Sequence, residues 1–273
     1  MESCNKDRQP VILVTNDDGF RARGLEALIQ MVKPFGRVVA VAPEEGHSGM
    51  SHAITITSPL RLRKITRNDD VDLYSVNGTP VDCVKLAINQ LFKTLPDLVV
   101  SGINHGSNSS VSIFYSGTMA AAIEGCLYGI PSVGFSILDY DVNPDFTSAI
   151  AFGQPIIRNI INNGVPKGTC LNVNFPVLPI SHIKGIKVCR QNKGTWKEEF
   201  EKRIDPRGQD YFWLTGYFHN DEPDAVDTDE WALSNGFISV VPITVDLTSY
   251  SEIDNLKKWD FTTSSQPHET KIR

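Results

Sequence analysis

The stretch Val11-Ile12-Leu13-Val14-Thr15-Asn16-Asp17-Asp18-Gly19 decides the fold. Its apolar, largely β-branched start predicts a strand buried on both faces, the kind found inside a parallel α/β sheet. The run stops abruptly at two carboxylates and a glycine. Ligands of such sheets bind beyond the carboxyl ends of the strands, and Asp17 and Asp18 fall at that end. Adjacent acids repel each other and resist desolvation, so they need a compensating charge. Oxygen donors favour a hard divalent cation: magnesium, manganese or calcium. A type I turn, in which Asp and Gly are favoured for local reasons, is the competing explanation of the same residues.

Outward from this strand, Leu25, Leu28, Ile29 and Val32 recur on one helical face, and Pro34 and Gly36 stop the helix. Val38-Val39-Ala40-Val41 is a second buried strand, which completes a β-α-β unit. It runs into Pro43 and a polar loop through Ser48, Gly49 and Ser51, on the same side as Asp17. Residues 54–57, 61–63 and 73–76 alternate, which predicts a small antiparallel insertion. Thr79 and Pro80 suit the cap and first position of a helix that lines up Val81, Val84, Ile88 and Leu91.

Residues 98–102 form a third buried strand, followed by Ile103-Asn104-His105-Gly106-Ser107-Asn108. A Ser/Gly-rich loop then reaches Tyr115-Ser116-Gly117-Thr118, where an Ala-rich helix begins. Free N–H groups at a helix start bind anions such as phosphate. Residues 133–136 and 171–175 predict further strands, and residues 146–161 a helix interrupted at Pro155. Beyond Pro176 the rhythm weakens. Strands at 186–189 and 211–214, a charged stretch from Lys193 to Arg203 and the turn Asp205-Pro206-Arg207-Gly208 predict a long hairpin or arm. Such an arm buries little alone and suits contact with a neighbouring subunit. A short helix at 228–233 and a strand at 237–241 bring the chain back to the core.

The expected architecture is therefore α/β: a Rossmann-like, mostly parallel sheet with flanking helices over residues 10–176, and a C-terminal oligomerisation region of arms and hairpin over residues 177–261. Residues 1–9 and 262–273 are expected to be flexible ends. At 273 residues the chain can bury a sizeable core. Its net charge of −6 argues against a nonspecific partner such as a nucleic-acid duplex or a membrane surface. No stretch is apolar enough to span a bilayer, and the polar start lacks a signal-peptide core. Cys4, Cys83, Cys126, Cys170 and Cys189 show no zinc spacing and suit buried packing in a reducing cytosol, so a cytoplasmic location is expected.

Three strand ends thus share one edge and present Asp17 and Asp18, then Ser48, then Asn104. Two carboxylates, a hydroxyl and an amide oxygen suit a magnesium-type ion that keeps positions open for water and substrate. With the Ser116-Gly117-Thr118 helix start as an anion cradle, the edge predicts chemistry on a phosphate group.

These segments, with Gly78-Thr79-Pro80, Asp82-Cys83, Glu124-Gly125, Asp205-Pro206-Arg207-Gly208 and Ser239-Val240-Val241-Pro242, resemble the SurE family of stationary-phase survival proteins. They follow the family order across nearly all of the chain between Pro10 and Thr248. The resemblance implies a metal-dependent nucleoside monophosphate phosphatase, a 5'-nucleotidase, working as a homodimer or homotetramer. It implies that Asp17, Asp18, Ser48 and Asn104 hold a divalent metal, magnesium or manganese, with Asp17 and Asp18 catalytic. Gly49, Asn108, Ser116, Gly117 and Thr118 are implied to lie around the phosphate. Val241-Pro242 departs slightly from the family's common Thr-Pro.

Other classes fit less well. A receiver domain needs an acceptor Asp where this chain has Gly102 to Asn104, and a haloacid-dehalogenase-type phosphatase needs Asp-x-Asp. Neither a Gly-x-Gly-x-x-Gly after the first strand nor a P-loop is present. Two alternatives stay open: a nucleotide-binding protein without turnover, and a phosphatase directed at polyphosphate. His47 and His105 are expected at the rim. Trp196, Tyr211 and Trp213 could stack on a base, with subunit packing the plainer role.

Overall fold

The structure is a computed structural model that describes residues 8–67, 71–141 and 143–261. Its elements follow in order as β1 (Val11–Thr15), α1 (Arg23–Val32), β2 (Arg37–Pro43), β3 (Leu62–Arg67), β4 (Val71–Val76), α2 (Pro80–Gln90) and β5 (Leu98–His105). Next come α3 (Gly117–Leu127), β6 (Ser132–Ile137), α4 (Thr147–Asn163), β7 (Thr169–Phe175) and β8 (Ile186–Val188). The chain ends with β9 (Gly194–Lys197), β10 (Phe200–Ile204), β11 (Asp210–Leu214), β12 (Tyr217–Asn220), α5 (Asp229–Ser234), β13 (Ile238–Thr244) and α6 (Tyr250–Leu256).

The main sheet runs β3-β4-β2-β1-β5-β6-β7-β13-β8. From β4 to β7 every neighbour is parallel; β3 and β13 run against β4 and β7, and β8 is parallel to β13. β1 is central because both of its faces find apolar cover. Ile12 and Val14 pack with Leu25, Leu28 and Met31 of α1 and Ile157 of α4, whereas Leu13 packs with Val84 and Ala87 of α2 and Ala121 of α3. Each fully buried aliphatic side chain of this kind contributes roughly 1.5–3 kcal/mol.

Local chemistry sets the helix starts. Thr79 accepts from the Asp82 N–H while Asp82 accepts from the Thr79 N–H, a reciprocal capping box ahead of Pro80. Ser116 caps α3 by accepting from Met119 N at 3.0 Å. Gly24 lets α1 sit directly on β5: a Cβ there would lie 2.1 Å from the Ile103 carbonyl oxygen.

Several expectations are corrected. Residues 54–57 form no strand; Ile54 and Ile56 are exposed, and the segment hangs instead on α2, with Thr55 N donating to Asp82 and Thr79 Oγ1 to Ala53 O. β3 and β4 are not a separate insertion but the edge of the main sheet. α4 continues through Pro155, whose missing N–H would have paired with the carbonyl of Ala151 on an exposed face, where water can replace it, while Ile156, Ile157 and Ile160 anchor the other side. The loop before Tyr115 contains a short 3-10 turn, Ser110–Tyr115, and α6 was not anticipated. Cys83, Cys126, Cys170 and Cys189 are free and buried. Cys4 and nearly all of the expected flexible ends lie outside the described residues.

Residues 194–220 make one long hairpin in two stacked segments, β9 with β12 near the root and β10 with β11 beyond it. Its turn closes through Gly208 N to Asp205 O and Asp205 N to Gln209 O. Phe200, Ile204, Phe212 and Trp213 on the outer segment are exposed.

Candidate active site

The carboxyl ends of β2, β1 and β5 lie side by side, so Ser48, Asp17, Asp18 and Asn104 come to one edge as expected. The loops are tied together by the backbone: His47 N donates to Asp17 O at 2.7 Å and Phe20 N to Pro43 O at 2.8 Å. Asp17, Ser48, Gly49, Asn104, Asn108 and Ser116 line one cavity of about 520 Å³.

Asp17 is 3% exposed. Thr118 Oγ1 donates to Asp17 Oδ1, and the Thr118 backbone N–H donates to the same side chain. Burial, with the neighbouring charge of Asp18, raises the Asp17 carboxyl to about 6 despite those bonds. Burial also raises Asp18, opposed by a bond from the His105 N–H. Asp18 Oδ2 is buried with no hydrogen-bond partner, as is Asn16 Oδ1. An unpartnered carboxylate oxygen beside a second buried carboxylate lacks positive charge, which a cation on this edge would supply.

Asn104 gives its amide protons to the His105 and Gly106 carbonyls, at 3.2 and 2.9 Å, which leaves Oδ1 as its available acceptor. Ser48 and Gly49 are exposed at the rim. The donor set therefore fits a hard cation held by two carboxylates and two neutral oxygens. Among the described residues no group of three or more His, Cys, Asp or Glu side chains converges to offer a softer site.

The helix start meets the carboxylates closely. A Cβ on Gly117 would lie 2.8 Å from Asp17 Cβ and 3.0 Å from its Oδ2, so only glycine admits this approach. Met119 N is taken by the Ser116 cap and Thr118 N by Asp17. Gly117 N remains the helix-start donor facing an anion. Thr118, expected around the phosphate, directs its hydroxyl and backbone N–H at Asp17.

Asn108 is pinned from several sides. Its N–H donates to Asn174 Oδ1, its Nδ2 to Ser136 Oγ, and its carbonyl accepts from Asn172 Nδ2. One of its two amide hydrogens is thus engaged inside the protein, which leaves the other and Oδ1.

A family model described as Survival protein SurE matches residues 12–198. The chain belongs to the SurE family. It is 54% identical to a 5'-nucleotidase SurE of Flavobacterium johnsoniae over 93% of this chain and 98% of that protein. It is 44% identical to a 5'-nucleotidase SurE of Bacteroides fragilis over 93% and 99%. The crystal structure of the SurE protein from Aquifex aeolicus, 42% identical, superposes with a TM-score of 0.79 over 91% of this chain and 98% of that one.

One wall of this SurE-family cavity contains Trp196, named from sequence as able to stack on a base with subunit packing the plainer role, together with neighbours that sequence reasoning missed. Trp196, Glu199, Leu214, Thr215 and Gly216, from the root of the hairpin, face the strand ends, with Tyr115 and Ser112 between them. Trp196 is braced edge-on by Phe218, with ring centroids 6.3 Å apart. Its aromatic character inside a polar, charged stretch was the available signal. His105 lines the cavity; His47 touches it only through its backbone bond to Asp17.

Proposed function

We propose that this protein is a divalent-cation-dependent phosphomonoesterase that hydrolyses nucleoside monophosphates to nucleoside and phosphate. The observation that carries this is the unpartnered Asp18 Oδ2 beside buried Asp17, which lines one cavity with Ser116 at the start of α3 and the aromatic wall of Tyr115 and Trp196. The activity named for the 5'-nucleotidase SurE relatives agrees with it.

Asp17, Asp18, Ser48 and Asn104 would hold the cation, and their hard oxygens favour magnesium or manganese. When bound, such an ion neutralises phosphoryl oxygens and makes a water more acidic. The remaining work belongs to the chain. Thr118 fixes Asp17 in one orientation. Asp18, whose Oδ2 has no protein partner, would take the proton of the attacking water. Gly117 N–H donates to a phosphoryl oxygen as charge builds there. Asn108 keeps one amide hydrogen for a phosphoryl oxygen, and its Oδ1 can accept from a sugar hydroxyl. Trp196 and Tyr115 offer flat surface for a base. That wall favours a nucleotide over polyphosphate.

Several further assignments belong to the same proposal. Residues 10–176 form the catalytic unit and residues 177–261 an oligomerisation region. The exposed Phe200, Ile204, Phe212 and Trp213 suit contact with a second copy in a homodimer or homotetramer. Among the described residues no helix is long and apolar enough to cross a membrane. Free buried cysteines accord with the cytoplasm.

The test is phosphate release from a panel of nucleoside monophosphates and polyphosphate, with magnesium or manganese and then with chelator. Cation-dependent turnover of nucleotides is expected, with Asp18→Asn folded but nearly inactive. A folded, cation-binding protein without turnover points to a nucleotide-binding role instead.

A further inference from the structure

The loop that carries Ser48 and Gly49 has no regular secondary structure of its own between Glu44 and Pro59. Its position comes from bonds to neighbouring elements, through backbone and side chains alike. Ser51 N donates to Tyr115 O at 3.2 Å, and Ser51 Oγ donates to Phe114 O at 2.7 Å, both just ahead of α3. One residue on, His52 Nε2 lies 2.9 Å from Glu124 Oε2. Glu124 sits on α3, whose first turn faces Asp17, and is 4% exposed. Its second oxygen, Oε1, accepts from Lys85 Nζ of α2 at 2.9 Å. Ala53 and Thr55 are then held by Thr79 and Asp82 at the start of α2.

A buried carboxylate is costly unless paired on both oxygens. Burial pushes Glu124 up, yet the bonds from His52 and Lys85 outweigh this and hold it below its ordinary range. The bond to Glu124 likewise raises Lys85. The cluster touches neither the carboxylates nor the cavity of the strand ends, so the chemistry described above does not use it. It joins three elements that the site needs in fixed relation: the Ser48 loop, α2 and α3.

We infer that Glu124 is a positioning residue which, through His52, latches the Ser48–Gly49 loop to the helix whose N-terminus faces the phosphate. The latch sets the spacing between the rim oxygens and the Gly117 N–H. This rests on the phosphatase proposal for what the spacing serves, but not for the latch itself.

The test uses the full chain with three substitutions: Glu124→Gln, His52→Ala and Lys85→Met. Two things are read: amide hydrogen exchange of residues 47–57 in the metal-free protein, and the manganese concentration giving half-maximal phosphate release. Glu124→Gln and His52→Ala are expected to speed exchange in that loop, including at Ser51 N. They should raise the manganese requirement by roughly tenfold, the usual scale for losing a ligand's outer support, with a smaller effect on kcat. Lys85→Met leaves the His52 tie in place, so it should lower Tm but keep the manganese requirement within about twofold of the parent. If Glu124→Gln does not fold, His52→Ala alters only a half-exposed side chain and carries the test. Unchanged loop exchange in His52→Ala overturns the latch, as does an equal manganese effect in Lys85→Met. A parent protein that releases no phosphate with any cation defeats the phosphatase proposal, while the exchange measurement still decides the latch.

Discussion

Thr118 directs two donors at Asp17, its hydroxyl to Oδ1 and its backbone N–H to the same carboxylate. A helix start is thereby locked to a strand end. The carboxylate cannot rotate freely, and the helix cannot drift away from the cation edge. Thr118→Val keeps the shape and removes the hydroxyl. Phosphate release from a nucleoside monophosphate is expected to fall about tenfold or more, with Tm little changed. Full activity in the variant would show that the backbone N–H alone orients Asp17.

Gly117 makes that approach possible. In Gly117→Ala the new methyl group meets a buried carboxylate at 2.8–3.0 Å, and Asp17 must move. Activity is expected to drop further than in Thr118→Val, because both the cation edge and the free N–H are disturbed. Steady-state kinetics beside a thermal melt separates this from unfolding.

The cation-free protein should lose stability as pH rises. Asp17 titrates near 6 in the folded protein against 3.8 as its ordinary value. Between those values the folded state holds a proton that the unfolded chain has released, so this group's contribution falls through that window and stays low above it. Two pH units correspond to about 3 kcal/mol. Tm in chelator is expected to fall between about pH 4 and 6. At pH 7, manganese at about a hundred times its Kd should restore roughly 2.7 kcal/mol. Asp17→Asn should flatten the pH dependence in chelator. A cation-free Tm that rises across the same range would contradict the account.

Trp196 is the test of substrate class. Trp196→Ala is expected to raise KM for nucleoside monophosphates roughly tenfold, the scale of one stacked base. It should leave hydrolysis of a small phosphate ester without a base nearly unchanged. Equal loss on both substrates would assign Trp196 to holding the hairpin rather than to the ligand.

Much of the frame was legible because its determinants are local. The unbroken apolar runs of β1, β2 and β5 have no other stable use than burial on both faces. The Thr79–Asp82 box and the Ser116 cap mark helix starts in four-residue windows. The shared edge of Asp17, Asp18, Ser48 and Asn104 followed from placing three strand ends together. Residues 54–57 misled because alternation alone does not supply a strand partner, and their backbone bonds go to α2 side chains instead. The bond from Thr118 to Asp17 was not legible, because a helix start reads as an anion site whichever neighbour it meets. β13 between β7 and β8 depends on pairings distant in sequence, which no local pattern records. Trp196 stood out as an aromatic, but its place in the cavity wall comes from the pairing of the hairpin root.

The hairpin root carries a consequence for how this activity can change. Asp17, Ser48, Asn104 and the α3 start all precede residue 120, whereas Trp196, Glu199, Leu214 and Thr215 belong to a separate excursion of the chain. On the proposed assignment, bond breaking and choice of leaving group are therefore written in different segments. Substitutions near residues 196–216 can retune which nucleoside is accepted while the reaction itself stays intact. Grafting that hairpin between relatives is then a direct route to altered selectivity.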